Sequence, residues 1–189
     1  MNRIQQLDPA RAAGKTRQLF ESIKSEAGAV SNGLRVVGNS PAALEGFLKF
    51  RGALSSGVLP ARLREQIALT VAEINGCGYC LSARSQSARR AGLSKDEIDR
   101  SRRATAGDDK ADAALKLARS VALLRGRIAC PDLAAARKAG LSEEEIVEIV
   151  ANVAINTFTN YMNTVAETVI DYPEVKPGVF AAPAHAAFG

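Results

Sequence analysis

Nowhere along the chain do apolar and polar residues alternate for long enough to make a strand. The pattern instead predicts helices separated by Gly, Pro and Ser breaks. Gly28 to Gly38 reads as a loop. Ser40-Pro41 then places an N-cap residue before a proline at the first helical position, predicting a helix to about Leu54. Pro60 opens a second helix through Ile74, the segment NGCGYC breaks it, and a helix restarts through Arg90. Asp108 or Asp109 caps a longer helix reaching about Arg125, and Pro131 starts a short one. The last helix runs from Ser142 to about Asp171 and is stopped by Pro173. Beyond it the chain is rich in Ala, Pro and Gly without helical period, as expected of an arm lying on the surface or on a partner subunit. The expected organisation is one all-α domain, residues 1–172, with an extended tail, residues 173–189.

A repeat stands out. ARRAGLSKDEID, from Ala88, matches ARKAGLSEEEIV, from Ala136, at eight of twelve positions. In each copy a glycine (Gly92, Gly140) ends one helix and a serine (Ser94, Ser142) caps the next. A glutamate three residues on (Glu97, Glu145) completes a capping box. The fold class is therefore an all-α, compact helical bundle containing a duplicated helix–turn–helix unit. Only the first copy follows a Cys-x-x-Cys, so chemistry is expected on one copy and scaffold on the other.

Composition narrows the classes. The 189 residues are 47% hydrophobic and 24% charged, which fits a soluble globular protein and excludes disorder, collagen and coiled-coil filaments. Few aromatics and abundant Ala favour helices packed through small side chains. A net charge of +5, mixed along the chain, argues for solubility rather than nucleic acid. The cluster Arg84, Arg89, Arg90, Arg100, Arg102 and Arg103 lacks interleaved aromatics and reads as a solvated face. The apolar stretch from Ile146 to Ile170 carries Glu148, Asn152, Asn156, Asn160, Asn163 and Glu167, which no lipid-facing span would, so no membrane partner is expected. The N-terminal residues lack the apolar run of a secretory signal, giving a cytoplasmic expectation. Three cysteines in a reducing compartment then point to redox or metal chemistry rather than structural bridges.

Cys77 and Cys80 flank Gly78-Tyr79 where a helix begins. Two intervening residues bring the sulfurs within bonding reach at the first turn, and the helix N-terminus lowers a thiol pKa. Arg84, four residues after Cys80, shares its helix face and favours the thiolate. Glu65 and Glu73 lie upstream on roughly one face. A zinc site needs two further ligands, and Cys130 and His185 are the remaining candidates, so no metal is expected. Two inert buried cysteines are the blander alternative. Tyr79 reads as core packing, and Cys130 as a helix-start residue without a redox role.

Glu65, twelve residues before Cys77, followed by Ala-x-x-Asn-x-Cys-x-Tyr-Cys and Leu-Ser-Ala, resembles the signature of the alkylhydroperoxidase D-like, carboxymuconolactone decarboxylase-related superfamily. NSPAALEGFLKF, the two AGLS turns and TNYMNTVAETVIDYP extend the resemblance over nearly the whole chain. The resemblance implies an all-α bundle assembled into homo-oligomers, without a cofactor. It implies Cys80 as the peroxidatic thiol, Cys77 as the resolving thiol and Glu65 in a proton relay. The implied partners are a hydroperoxide and an external thiol reductant. The homo-oligomer is expected also because long apolar helical faces and an apolar tail leave surface for a neighbour to cover.

The chain departs from the family where His would follow the second Cys by four residues: Arg84 stands there. A second His of related sequences falls at Thr164, and His185 matches neither. Arg stays charged and cannot shuttle a proton. In an antiparallel hairpin, Glu65 lies about 15 Å from Asn75 and Arg84 about 6 Å beyond Cys80, at ~1.5 Å per residue. Arg84 is long enough to meet Glu65 as a charge-assisted, possible bidentate pair. Three functions follow: a thiol peroxidase retuned by Arg84; a non-catalytic or redox-sensing oligomer; and a lyase on a small acidic lactone. A positive pocket around Arg84 would favour the lyase.

Overall fold

The computed structural model describes residues 3–178. Among them it contains nine helices and no strand: α1 (Gly14–Ala27), α2 (Asn32–Val37), α3 (Pro41–Ser55), α4 (Ala61–Ile74), α5 (Gly78–Arg90), α6 (Lys95–Arg102), α7 (Asp109–Leu124), α8 (Cys130–Lys138) and α9 (Glu143–Ala166). None of the described helices is long and apolar enough to cross a membrane. Helix α4 is the axis of the bundle and packs against α5, α6, α7 and α9. Every residue from Gln66 to Glu73 is buried, so this helix is covered on all sides rather than along one stripe. One part of the core joins Ile67, Val71, Leu115 and Ile149; another gathers Leu69, Leu81 and Ile98 around the cysteine pair.

Local capping accounts for most helix starts. Ser40 accepts the Ala43 N–H at α3, and Asp108 accepts the Ala111 N–H at α7. The two repeats close alike. Gly92 and Gly140 adopt φ of 84° and 88°, the left-handed region that glycine enters without strain. Leu93 N–H returns to the Ala88 carbonyl at 3.0 Å and Leu141 N–H to the Ala136 carbonyl at 3.2 Å. Both capping boxes form, with Ser94 N–H to Glu97 and Ser142 N–H to Glu145 at 2.8 Å each. Ser94→Ala and Ser142→Ala are each expected to cost about 1 kcal/mol in urea unfolding, the typical loss of a serine cap.

Three elements differ from the sequence pattern. Residues 14–27 form α1, outside the helices that the sequence pattern predicts, and its Phe20 and Ile23 pack with Val37 and Leu44. The Gly28–Gly38 loop contains α2, whose first N–H groups are satisfied from far along the chain. Asn32 N–H donates to the Asp171 carboxylate at 2.9 Å, and Gly33 N–H donates to the Tyr79 hydroxyl at 2.8 Å. Helix α9 ends at Ala166 rather than near Asp171. Glu167 turns left-handed, with φ of 48°, and Thr168 N–H closes onto the Asn163 carbonyl. The chain so released carries Asp171 to the start of α2.

Of the tail, residues 173–178 are non-helical and lie against their own chain. Val175 N–H donates to Ser82 Oγ at 2.9 Å, Arg102 Nη2 to the Lys176 carbonyl at 2.8 Å, and Gly178 N–H to Glu73 Oε1 at 2.6 Å. Residues 179–189, His185 included, lie outside the described residues.

Candidate active site

Helices α4 and α5 fold back on each other across Asn75, Gly76 and Cys77. The turn needs glycine at one point, Gly76, with φ of 64°. Cys77 is the N-cap of α5 and Cys80 occupies its first turn. The two are joined as a disulfide with Cα atoms 5.3 Å apart. Cys80 N–H points at Cys77 Sγ, 3.2 Å away, so an unsatisfied donor of the helix terminus is directed at sulfur. Cys77 is 2% exposed and Cys80 5%. Ile170, Tyr172 and Val175, from the segment after α9, pack over this cluster.

Helix α9 supplies what the sequence pattern did not identify. Asn163 Nδ2 approaches Cys80 Sγ to 3.5 Å while also donating to the Thr159 carbonyl at 2.9 Å. Asn75 Nδ2 donates to Asn160 Oδ1 at 2.9 Å, tying the hairpin turn to α9. Asn152, Asn156, Asn160 and Asn163 are all buried. Their near four-residue spacing in an apolar helix was a signal for an inward polar ladder. Thr164, the position at which the family resemblance would place a second His, is exposed, and its neighbour Asn163 faces the sulfur.

Tyr79 packs edge-on against Tyr172 with ring centroids 5.8 Å apart. Burial pushes its phenol pKa well above the usual value, so it stays neutral and serves as acceptor for Gly33. A Cβ on Gly33 would meet Asn163 Oδ1 at 2.8 Å and Tyr79 Cε1 at 3.0 Å. Glycine thus allows α2 to close against the groups flanking Cys80. Cys130 is free and exposed at the start of α8.

Glu65 and Arg84 meet across the hairpin. Arg84 Nη1 lies 3.3 Å from Glu65 Oε1, a single contact rather than a bidentate pair. Glu65 Oε2 is buried without a hydrogen-bond partner. Glu73, read as sharing that face, points elsewhere: its fully buried carboxylate is 2.8 Å from Arg102. The arginine cluster is accordingly not one solvated face. Arg84 and Arg102 turn inward to these carboxylates, Arg100 pairs with Asp96, and Arg89 and Arg90 remain exposed.

Beside Glu65 and Arg84 opens a cavity of about 180 Å³ that Arg51 and Arg64 also line. Arg64 donates to the Leu59 carbonyl. Crowding by protein around the Arg51 guanidinium, then the Arg84 charge, lowers its pKa from the usual arginine value. No group of three or more metal-ligating side chains occurs among the described residues.

Residues 41–120 match the carboxymuconolactone decarboxylase family, a span holding Glu65, Cys77, Cys80 and Arg84. No curated protein matches the chain significantly. Among solved structures, an alkylhydroperoxidase AhpD core, an uncharacterized peroxidase-related protein from Ralstonia eutropha, is 22% identical with a TM-score of 0.79, over 90% of this chain and 92% of that one. A peroxidase-related protein from Silicibacter sp. is 22% identical with a TM-score of 0.74, over 89% and 94%. A debrominase in complex with 2,3,4-tribromopyrrole is 21% identical with a TM-score of 0.76, over 89% and 91%. The fold is thus shared by proteins of more than one chemistry. Over residues 41–120 the chain thus resembles the carboxymuconolactone decarboxylase family, and its fold is the one seen in the AhpD-like structures.

Proposed function

We propose that the chain is a thiol-dependent hydroperoxidase working through Cys77 and Cys80. The observation that supports this reading best is the bridged pair at the first turn of α5, with Asn163 directed at Cys80. In the dithiol form, the Cys80 thiolate attacks the terminal oxygen of R–O–OH and the O–O bond breaks. The products are Cys80 sulfenic acid and RO⁻, which takes a proton to leave as alcohol. The Cys77 thiolate then attacks the Cys80 sulfur, expelling hydroxide, which leaves as water, and forming the disulfide. Two electrons pass from the dithiol to the peroxide, and an external dithiol restores the pair by exchange.

Glu65 is the acceptor on the hairpin, but one of its oxygens is engaged by Arg84 Nη1 at 3.3 Å. Arg84 stabilises the thiolate electrostatically without shuttling protons. Arg84→His is therefore expected to raise turnover of a saturating neutral peroxide by at least about tenfold, below the roughly 10²–10⁴ of a well-placed acid–base group. Stopped-flow consumption of cumene hydroperoxide with dithiothreitol tests both statements. Wild type should consume one peroxide per disulfide formed. An intact dithiol that never oxidises with substrate would leave the non-catalytic or redox-sensing oligomer as the better reading.

The arginine-lined cavity is the observation that favours the second reading, a lyase acting on a small acidic lactone. Such activity would survive replacement of both cysteines. The proposed protein is also a cytoplasmic homo-oligomer. On α9, Val147, Val150, Ala154, Phe158, Tyr161 and Val165 are exposed at three- and four-residue spacing, an apolar face suited to a second copy. Light scattering should give a multiple of the chain mass, and Tyr161→Glu should lower it.

A further inference from the structure

We propose that the cavity beside Glu65 and Arg84 seats the carboxylate of a small organic acid, so that the hydroperoxide reduced by this chain is itself an acid. The second half of this statement rests on the thiol-peroxidase reading; the carboxylate seat does not.

Charge is the first argument. Arg51, Arg64 and Arg84 line the cavity, and Glu65 is the one acidic residue in its wall, leaving two positive charges in excess. Among the described residues Arg51 makes no ion pair, and Arg64 spends an N–H on a backbone carbonyl rather than on a carboxylate. Arg84 donates to Glu65 through Nη1 alone, so the remaining N–H groups of its fork are available to a ligand. Three guanidinium groups converging on a concave surface are the donor set that planar carboxylates meet best, because each fork can supply two parallel N–H donors.

Size and lining decide the kind of anion. A cavity of about 180 Å³ is small beside the roughly 300–1,000 Å³ of pockets for drug-sized ligands, which suits a short-chain or single-ring acid. Phe47 and Ile155 contribute apolar wall, which rewards a hydrocarbon body attached to the anion and gives nothing to an inorganic oxyanion. A neutral ligand of the same shape would forgo the charge-assisted hydrogen bonds that the guanidinium forks offer a carboxylate. The carboxylate takes no part in the redox step; it positions the molecule.

The test has a binding arm and a kinetic arm, both on the full chain. Calorimetry on the disulfide form compares benzoate, its neutral isostere benzamide, and inorganic phosphate. Benzoate is expected to bind at least tenfold tighter than either. Arg51→Gln should weaken benzoate at least tenfold, while Arg103→Gln, an exposed arginine away from the cavity, should not. Equal binding of benzoate and benzamide, phosphate binding as tightly as benzoate, or indifference to Arg51→Gln would each overturn the seat. The kinetic arm compares cumene hydroperoxide with its para-carboxylate. The acid should show the lower KM in wild type, and Arg51→Gln should remove that preference. Benzoate binding without turnover of either peroxide would sink the peroxidase reading and leave the seat standing. Equal KM values for the two peroxides, without benzoate binding, would sink the seat and leave the peroxidase.

Discussion

Cys80→Ser should reduce hydroperoxide consumption to the rate of buffer alone, whereas Cys77→Ser should retain one stoichiometric oxidation and then stall. The asymmetry follows from where each sulfur lies. Cys80 has the Asn163 amide directed at it from α9, a donor that favours a thiolate and that a serine oxygen would also accept. The Cys80→Ser side chain therefore remains satisfied in place, but a hydroxyl with its proton retained is a poor nucleophile at neutral pH. Cys77 caps α5, and serine is among the best N-cap residues, so Cys77→Ser keeps the helix start while removing the resolving thiol. The product after one turnover should be a Cys80 sulfenic acid, trapped by dimedone and read by mass spectrometry. Exchange of the two phenotypes would reverse the assignment of the thiols. Full activity in both variants would remove the redox pair from the reaction and transfer the case to the lyase.

What could be read from sequence was decided by how far apart the stabilising partners lie. The capping boxes at Ser94 and Ser142 close within three residues, and the glycines before them need only their own φ, so both turns were legible. For the Glu65–Arg84 contact, helix rise set the two residues at different depths of the hairpin and the length of the arginine side chain closed the difference, a short-range argument as well. Helix α2 was not legible, because its terminal N–H groups depend on Asp171, 139 residues away, and on Tyr79, 46 residues away. A six-residue segment is too short to hold a helix without such partners. The end of α9 was missed for the same reason: Pro173 is a strong local stop, but the chain leaves the helix earlier, and Asp171 then reaches α2. Asn163 falls between the two cases. Its spacing with Asn152, Asn156 and Asn160 marked an inward polar face, while its nearness to Cys80 depended on how α9 packs against α5. The tertiary packing of α9, rather than any motif, completes the surroundings of the cysteine pair.

Arg102→Met is expected to be the most destabilising of the substitutions considered, by about 3–5 kcal/mol. Glu73 has no side-chain exposure and Arg102 13%, so this ion pair is held away from water, unlike the exposed pairs such as Lys95–Asp99 that contribute little. Removing the guanidinium takes away the charged donor that Glu73 Oε2 holds at 2.8 Å, and the Gly178 N–H, which meets Oε1 at 2.6 Å, does not replace it. The same substitution removes the donor to the Lys176 carbonyl, loosening the segment that continues into Tyr172 and Val175 over the cysteine cluster. Two readouts separate these consequences. Urea unfolding should report the loss in midpoint with little change in slope. The reduction rate of the Cys77–Cys80 bridge by dithiothreitol, measured well below the unfolding midpoint, should rise if the segment shields it. A double replacement, Glu73→Leu with Arg102→Met, removes both charges together and should recover most of the stability, because apolar side chains of similar size commonly match a buried ion pair. The double variant should nevertheless keep the faster reduction, since neither side chain could then hold Lys176 or Gly178. A double variant as unstable as Arg102→Met alone would mean that packing around these residues, rather than the buried charge, sets the cost.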